Sequence, residues 1–273
     1  MSTPKVSIVI PVFNGMPHLE ALIASLSQQD YSNLEIIATV TPTHDGSEEA
    51  LEAAGIRVVV TPPGTTAAEN WTRATKLATG EFTKLICQDD LLYSHAISAQ
   101  VADLVSSPNA VMAIAQRDII DSKGRTIFTG RGLSGLHGSH LPGSRVLRET
   151  YLRGGNIFGE PLAVLFSTRA LKASMPWRDD NPLMLDLNTY TKVAPLGNVA
   201  LRHESIGAFR VSASSWSTTI AGAQLAQTRD WQREYEDSYH TSRWDQVKAF
   251  MGRHVQTNTR RAAYAYLAAR KSL

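Results

Sequence analysis

Lys84-Leu85-Ile86-Cys87-Gln88-Asp89-Asp90 decides how the rest of the chain is read. An apolar run of strand length delivers two adjacent carboxylates to its C-terminal end, and in an open parallel sheet ligands bind at that end. Hard oxygen donors there suit Mg²⁺ or Mn²⁺, which bind through one or two carboxylates completed by water and substrate phosphates. The competing reading of Asp89-Asp90 is a solvated turn before a helix. Successive side chains at a strand end diverge, so Asp90 could cap that turn or hold a water while Asp89 takes the ion.

Working outward, strands and helices alternate. Val6 to Ile10 is a β-branched run stopped by Pro11, Asn14 and Gly15. Leu19, Leu22, Ile23 and Leu26 follow at helical spacing. Leu34 to Val40 reads as the second strand, and Asp45-Gly46-Ser47 turns the chain, with Ser47 placed to cap a helix opened by Glu48 and Glu49. Ile56 to Val60 is the third strand, Ala67 to Thr79 a helix closed by Gly80, and Phe82 to Cys87 the fourth strand. Short connections predict right-handed crossovers and a parallel sheet with helices on both faces. A helix over Ser94 to Val105 and a strand over Ala110 to Ala115 come next. Thr129 to Arg145, rich in Gly, Ser and His, reads as a long mobile loop. A strand over Leu162 to Ser167, a helix over Leu185 to Val193 and a short strand over Val199 to Leu201 follow, and from Ser217 the chain reads as helical.

Composition excludes several classes. Lys and Arg number 27 against 25 Asp and Glu, a near-even balance that gives no footprint for a dedicated nucleic-acid binder, which needs basic residues concentrated on one face. The single cysteine, Cys87, forbids an intrachain disulfide. Met1 to Lys5 has no signal-type leader, and no apolar run approaches the ~20 residues of a membrane span. The expectation is a cytoplasmic protein, with peripheral attachment at the inner membrane face open to it. In the tail, Trp231, Tyr235 and Tyr239 recur at i, i+4 and i+8 beside Arg229, Arg233, Arg243, Arg260 and Arg261. Such a stripe suits an anionic membrane, a homodimer mate or, more often, the protein's own domain.

The ordered set Val6-Ser7-Ile8-Val9-Ile10-Pro11-Val12-Phe13-Asn14-Gly15, then Asp45-Gly46-Ser47, then Gly80-Glu81-Phe82 through Gln88-Asp89-Asp90, resembles the family-2 glycosyltransferases of GT-A fold. The resemblance implies an α/β chain of GT-A type, a Rossmann-like, mostly parallel sheet flanked by helices, with a helical C-terminal extension. Residues 1–216 would form the glycosyltransferase domain, 1–116 its nucleotide-sugar-binding half and 117–216 its acceptor and catalytic half, and 217–273 the extension. It implies inverting, Mn²⁺- or Mg²⁺-dependent transfer from a nucleoside diphosphate sugar to a saccharide or lipid-linked acceptor in surface polysaccharide or glycoconjugate synthesis. By the same resemblance Asp89 is the metal ligand, with Asp90 beside it, and Asp186 the general base. Pro11, Val12, Asn14, Asp45, Asn70, Arg73, Gln88, Asp89 and Arg210 are donor contacts, and Glu160 is an acceptor contact.

Bland readings stand beside these. Asp45 before a glycine is ordinary turn chemistry, Asn14-Gly15 is turn geometry, Asp186 fits an exposed early-helix acid, and Glu160 fits loop polarity. Arg210 suits a diphosphate because guanidinium grips phosphate oxygens in a fork, yet surface exposure is its alternative. The chain also departs from the family pattern at His44, Cys87 and Leu185, where relatives carry acids. Those losses motivate a second reading, a non-catalytic binding subunit. A sugar nucleotidyltransferase is third, since Val12-Phe13-Asn14-Gly15 lacks a Gly-rich, basic triphosphate cradle.

Overall fold

Val6–Val12 forms β1, and all seven of its residues are buried because it is the middle of a parallel stack. β2 (Leu34–Val40) pairs with one edge of it and β4 (Phe82–Leu85) with the other, both parallel, with Val6 opposite Leu34 and Phe82. β3 (Arg57–Val60) extends the sheet beyond β2. The computed structural model describes residues 3–212 and 223–269. The expected domain boundary after residue 216 and the expected helix start over 217–222 lie outside the described residues.

The helices between these strands are α1 (Leu19–Ser27), α2 (Ser47–Ala53) and α3 (Ala67–Leu77). Ser47 is not the cap of α2: Gly46, at φ 86°, takes that position, and Ser47 Oγ instead accepts from Gly15 N–H at 3.0 Å. A capping box starts α3, where Thr66 Oγ1 accepts from Glu69 N–H and Glu69 Oε2 accepts from Thr66 N–H at 2.9 Å. Gly80 does not close α3, whose cap is Ala78. It is needed for another reason: a Cβ there would stand 2.6 Å from Lys5 O.

Beyond β4 come β5 (Leu91–Leu92), α4 (Ala96–Ser106), β6 (Ala110–Ile120), β7 (Thr126–Arg131), β8 (His140–Pro142) and α5 (Gly143–Arg153). Thr129 to Arg145 is therefore not one long loop: its ends belong to β7 and α5, and β8 pairs antiparallel with β10. Weak alternation hid these strands, since β7 and β8 are edge strands with few buried residues. β9 (Val164–Ser167), α6 (Thr168–Ala173), α7 (Leu185–Val193) and β10 (Asn198–Arg210) complete the sheet, whose order is β3-β2-β1-β4-β9-β6-β10-β5. The expected short strand at Val199 to Leu201 is only the start of β10, which continues through register shifts after Arg202 and Ser205. β9 runs antiparallel between β4 and β6, which joins β6 and β10 to the four-strand parallel unit.

Side chains alternate across the sheet. Ile8 and Ile10 enter one core layer with Leu19 and Leu22 of α1 and Ile97 and Val101 of α4. Val9, Met112 and Ile114 enter the other with Tyr190 of α7. Two further helices, α8 (Gln224–Ser238) and α9 (Arg243–Ala269), pack on that second layer. Trp231 and Tyr235 are buried there, and Trp231 Nε1 donates to Thr191 Oγ1 at 3.0 Å. The aromatic stripe of the tail thus packs on its own domain, with Tyr239 partly buried at its end.

Candidate active site

β4 releases the chain at Leu85, two residues earlier than the expected strand end. Ile86 N–H still bonds Val9 O at 3.1 Å, and Asp90 N–H closes a turn on Cys87 O at 3.2 Å. That turn presents Cys87, Gln88 and Asp89 half-buried at the sheet edge and folds Asp90 inward to full burial. Gln88 staples the neighbouring loop: its Oε1 accepts from Phe13 N–H at 2.7 Å, and its Nε2 donates to Phe13 O at 2.6 Å and Asn14 O at 3.2 Å. Pro11 and Val12 are buried, whereas Phe13, 57% exposed, and Asn14, at φ 51°, stand out from the loop.

Asp45 organises the opposite wall. One carboxylate oxygen accepts from Thr43 Oγ1 and Ser47 N–H, the other from Met16 N–H and Ser47 Oγ. Burial alone would raise its pKa, but these donors win and hold it below the usual carboxylate range. Four donors occupy the lone pairs that base recognition would need. Here Asp45 ties the first and second strand-end loops together. Asn70 is similarly engaged, its Nδ2 donating to Val12 O, Thr39 O and Thr41 Oγ1, while its buried Oδ1 has no partner. Arg73 is exposed on α3 and lines a groove with Glu69, Lys76, Trp177 and Arg178, apart from the acidic tip.

Arg210, at the end of β10, reaches the tip but does not offer it a free fork. Its Nε donates to Asp89 O at 2.9 Å, its Nη1 to Asp121 O at 3.0 Å, and its backbone N–H to Asp90 Oδ1 at 3.2 Å. With only 4% of the residue exposed, Arg210 braces the carboxylates from behind, and the diphosphate contact expected of it stays a proposal. Burial raises the pKa of Asp89, opposed by the charges of His18 and Arg210. Burial, and then the charge of Asp89, raises that of Asp90 still further. Asp90 Oδ2 is buried and has no hydrogen-bond partner among the described residues. Two carboxylates so desolvated, one with an orphan oxygen, are a donor set short of a cation, which fits a divalent ion. Among the described residues no group of three or more His, Cys, Asp or Glu is poised to hold an ion, so water and ligand oxygens would complete any coordination shell.

Asp186 enters from α7. Its Oδ2 accepts from Asn156 Nδ2 and its Oδ1 from Leu187 N–H, both at 2.7 Å. Burial, helped by the charge of Glu160, raises its pKa to about 7 against those two hydrogen bonds. Glu160 pairs with the buried Arg117, Nε to Oε2 at 2.5 Å. Burial opposes that pairing, yet it keeps the Glu160 carboxyl below its usual range. The Cys87 thiol joins the two sides: burial first, then Asp90, Asp89, Asp186 and Glu160, push it well up. The charges of Asp90, Asp89, Asp186 and Glu160 all reach the Cys87 thiol, and those of Arg210 and Asp89 reach His18. His18, Arg117 and Asn156 escaped sequence reasoning, because each acts through a partner far away in the chain. Phe13 did carry a signal, a large apolar residue inside a polar turn.

The family model described as Glycosyl transferase family 2 matches residues 7–171, more than half of the chain. An uncharacterized glycosyltransferase of Rickettsia typhi is 29% identical over 130 residues, covering 46% of this chain and 40% of the relative. The chain thus spans less than half the length of that curated relative. Among solved structures, S. aureus TarS superposes with a TM-score of 0.67 at 14% identity, over 92% of this chain and 43% of TarS. The mannosyltransferase PcManGT from Pyrobaculum calidifontis, solved with GDP-Man and Mn²⁺, gives 0.59 at 16% identity, over 100% of this chain and 77% of PcManGT. At such identities the likeness is one of fold, and the fold is GT-A.

Proposed function

Because the chain belongs to glycosyl transferase family 2, we propose that it transfers a sugar from a nucleoside diphosphate sugar to an acceptor hydroxyl with inversion. The observation that carries this is Asp186, a half-buried carboxylate held by Asn156 Nδ2 and Leu187 N–H, with a pKa raised to about 7 and a charge felt at the same Cys87 thiol as that of Asp89. A base with a pKa near neutrality is about half ionised at pH 7, and that ionised fraction can take the proton of an acceptor hydroxyl. The acceptor oxygen then bonds to the anomeric carbon as the bond from that carbon to the diphosphate oxygen breaks. A single in-line displacement inverts the centre, and the diphosphate leaves with the bonding pair.

Asp89, with the open oxygen of Asp90, would hold Mn²⁺ or Mg²⁺, whose charge would neutralise the diphosphate. Mn²⁺ in the GDP-Man complex of PcManGT supports this. Phe13 offers an exposed ring for a nucleobase beside the loop that Asp45 and Gln88 hold. Asn156 and Leu187 N–H orient Asp186, and the Arg117–Glu160 pair lines the acceptor side. Synthesis of a surface polysaccharide or glycoconjugate is the setting we propose, with residues 1–216 as the catalytic domain.

A thermal-shift series with UDP, GDP and their sugar conjugates, with and without Mn²⁺, tests the donor side, since binding to the folded state raises apparent stability. The expected result is a Mn²⁺-dependent rise that Asp89→Ala abolishes and Asp186→Asn retains, while Asp186→Asn loses at least ~100-fold in transfer. Transfer at the parental rate by Asp186→Asn removes the base assignment. Silence toward every nucleotide would favour the binding-subunit reading, to which Cys87 and Leu185 lend support.

A further inference from the structure

The outer face of α9 carries large apolar side chains in the open. Trp244, Val247, Met251 and Val255 recur at i, i+3, i+7 and i+11, and Trp244 is 75%, Met251 59% and Val255 65% exposed. Phe250 stands beside them at 52%. Residues at this spacing share one stripe of a helix. The helix cannot roll that stripe inward, because its other face is locked. Ala249 and Thr257 are buried, Asp245 pairs with Arg148 at 2.6 Å, and Gln232 Nε2 donates to Ala249 O at 3.1 Å. Arg253 Nη1 donates to Gln232 Oε1 at 2.8 Å.

Charge selects the occupant of this face. Lys248 borders the stripe on one side and Arg243 and Arg261 on the other, all three exposed. After Asp245 the sequence contains six Lys or Arg and no Asp or Glu, although the whole chain is only +2, so the first 245 residues are net acidic. A second copy docked face to face would set these cations against their own equivalents, which is unfavourable at an interface. An anionic lipid surface presents the opposite sign over a plane that accepts Trp, Phe and Met at headgroup depth.

We propose that α9 docks the protein on anionic lipid bilayers, its Trp244–Val255 stripe entering the headgroup region while the flanking cations bind lipid phosphates. The helix lies along the bilayer plane and does not cross it, since no helix among the described residues is long and apolar enough to span a membrane.

Co-sedimentation of the full chain with phosphatidylcholine vesicles, with or without a minority of phosphatidylglycerol, tests this without any sugar donor. Pelleting is expected with the anionic vesicles and is expected to fall at least tenfold with pure phosphatidylcholine. Trp244→Glu with Met251→Glu should remain in the supernatant while keeping the parental circular dichroism spectrum. Lys248→Gln with Arg261→Gln should weaken partitioning roughly 30-fold at low ionic strength. The proposal is overturned if the parent ignores anionic vesicles, or if the Trp244→Glu, Met251→Glu variant still pellets with them. It is equally overturned if sedimentation velocity shows a parental dimer that this variant dissolves and no lipid binding.

Discussion

Asp186 sits between groups that pull its proton affinity in opposite directions. Burial and Glu160 raise its pKa to about 7, while Leu187 N–H and Asn156 Nδ2 stabilise the ionised form and pull it back. Removing one influence should therefore move the acidic limb of kcat/KM in a known direction. Glu160→Gln deletes a neighbouring negative charge and should shift that limb to lower pH, by on the order of one unit or less. Asn156→Ala deletes a donor to the ionised form and should shift it to higher pH by a similar amount, with a fall in kcat from the loosened base. Limbs that coincide with the parent's for both variants would assign the titration to another group. Asp186 was legible in the sequence through its motif register, as was Asp89. Asn156 was not, because nothing local marks an asparagine whose side chain is spent 30 residues away.

Element by element, β4 is the one that breaks the rule of its own kind. A central parallel strand reads as apolar, yet Lys84 lies in it with no exposure, its Nζ donating to Gln100 Oε1 at 2.5 Å and to Val164 O at 3.3 Å. Among the described residues no carboxylate pairs with it, and burial lowers its pKa well below the ordinary value. The unfolded chain then binds more protons than the folded one between that lowered value and about pH 10.4, so Lys84 makes stability rise with pH across this window. Lys84→Met should flatten the profile, its stability relative to the parent falling by up to about 1.4 kcal/mol per pH unit inside the window. Urea unfolding of both proteins at several pH values from 7 to 10 checks this, and parallel profiles would mean Lys84 stays charged. The run around Lys84 was readable as a strand because β-branched and apolar neighbours outweigh one long side chain. β7 and β8 were not, because an edge strand half open to water carries no clean alternation.

At the scale of the whole molecule, the parallel half is tied across three segments by Glu35 at the edge of β2. Its carboxylate takes Lys5 Nζ at 2.7 Å, Thr79 N–H at 2.7 Å and the Ser7 hydroxyl, joining β1 to the α3–β4 connection. Burial works against the ionised form, but these donors hold its pKa down at about 2. A carboxylate depressed in the folded state stabilises above its unfolded pKa and loses that stabilisation as pH falls toward the folded value. Glu35→Gln should cost about 2 kcal/mol at pH 7, and the gap to the parent should close as pH drops from about 4.5 toward 2. Chemical denaturation at pH 7 and pH 3 measures both halves of that statement, and an equal gap at the two pH values would discount the tie.

Strand and helix periodicity and the turn residues at Pro11 to Gly15 and Asp45 to Ser47 were enough to establish a parallel α/β sheet and its ligand-facing edge, and the motifs ending in the acidic pair after Cys87 carried the resemblance to the GT-A fold. These are local signals, set by side-chain spacing and turn geometry, and they survive without knowledge of any distant contact. Tertiary structure alone decided which polar groups remain free. Asp45 and Arg210 look like ligand contacts in the sequence, but hydrogen bonds to distant loops and strands engage both Asp45 oxygens and the Nε and Nη1 of Arg210. Asp90 Oδ2, by contrast, emerges without a partner. The direction of the C-terminal helices was decided in the same way: one aromatic stripe could cover the second core layer, and α8 supplied it, leaving the apolar face of α9 to the outside.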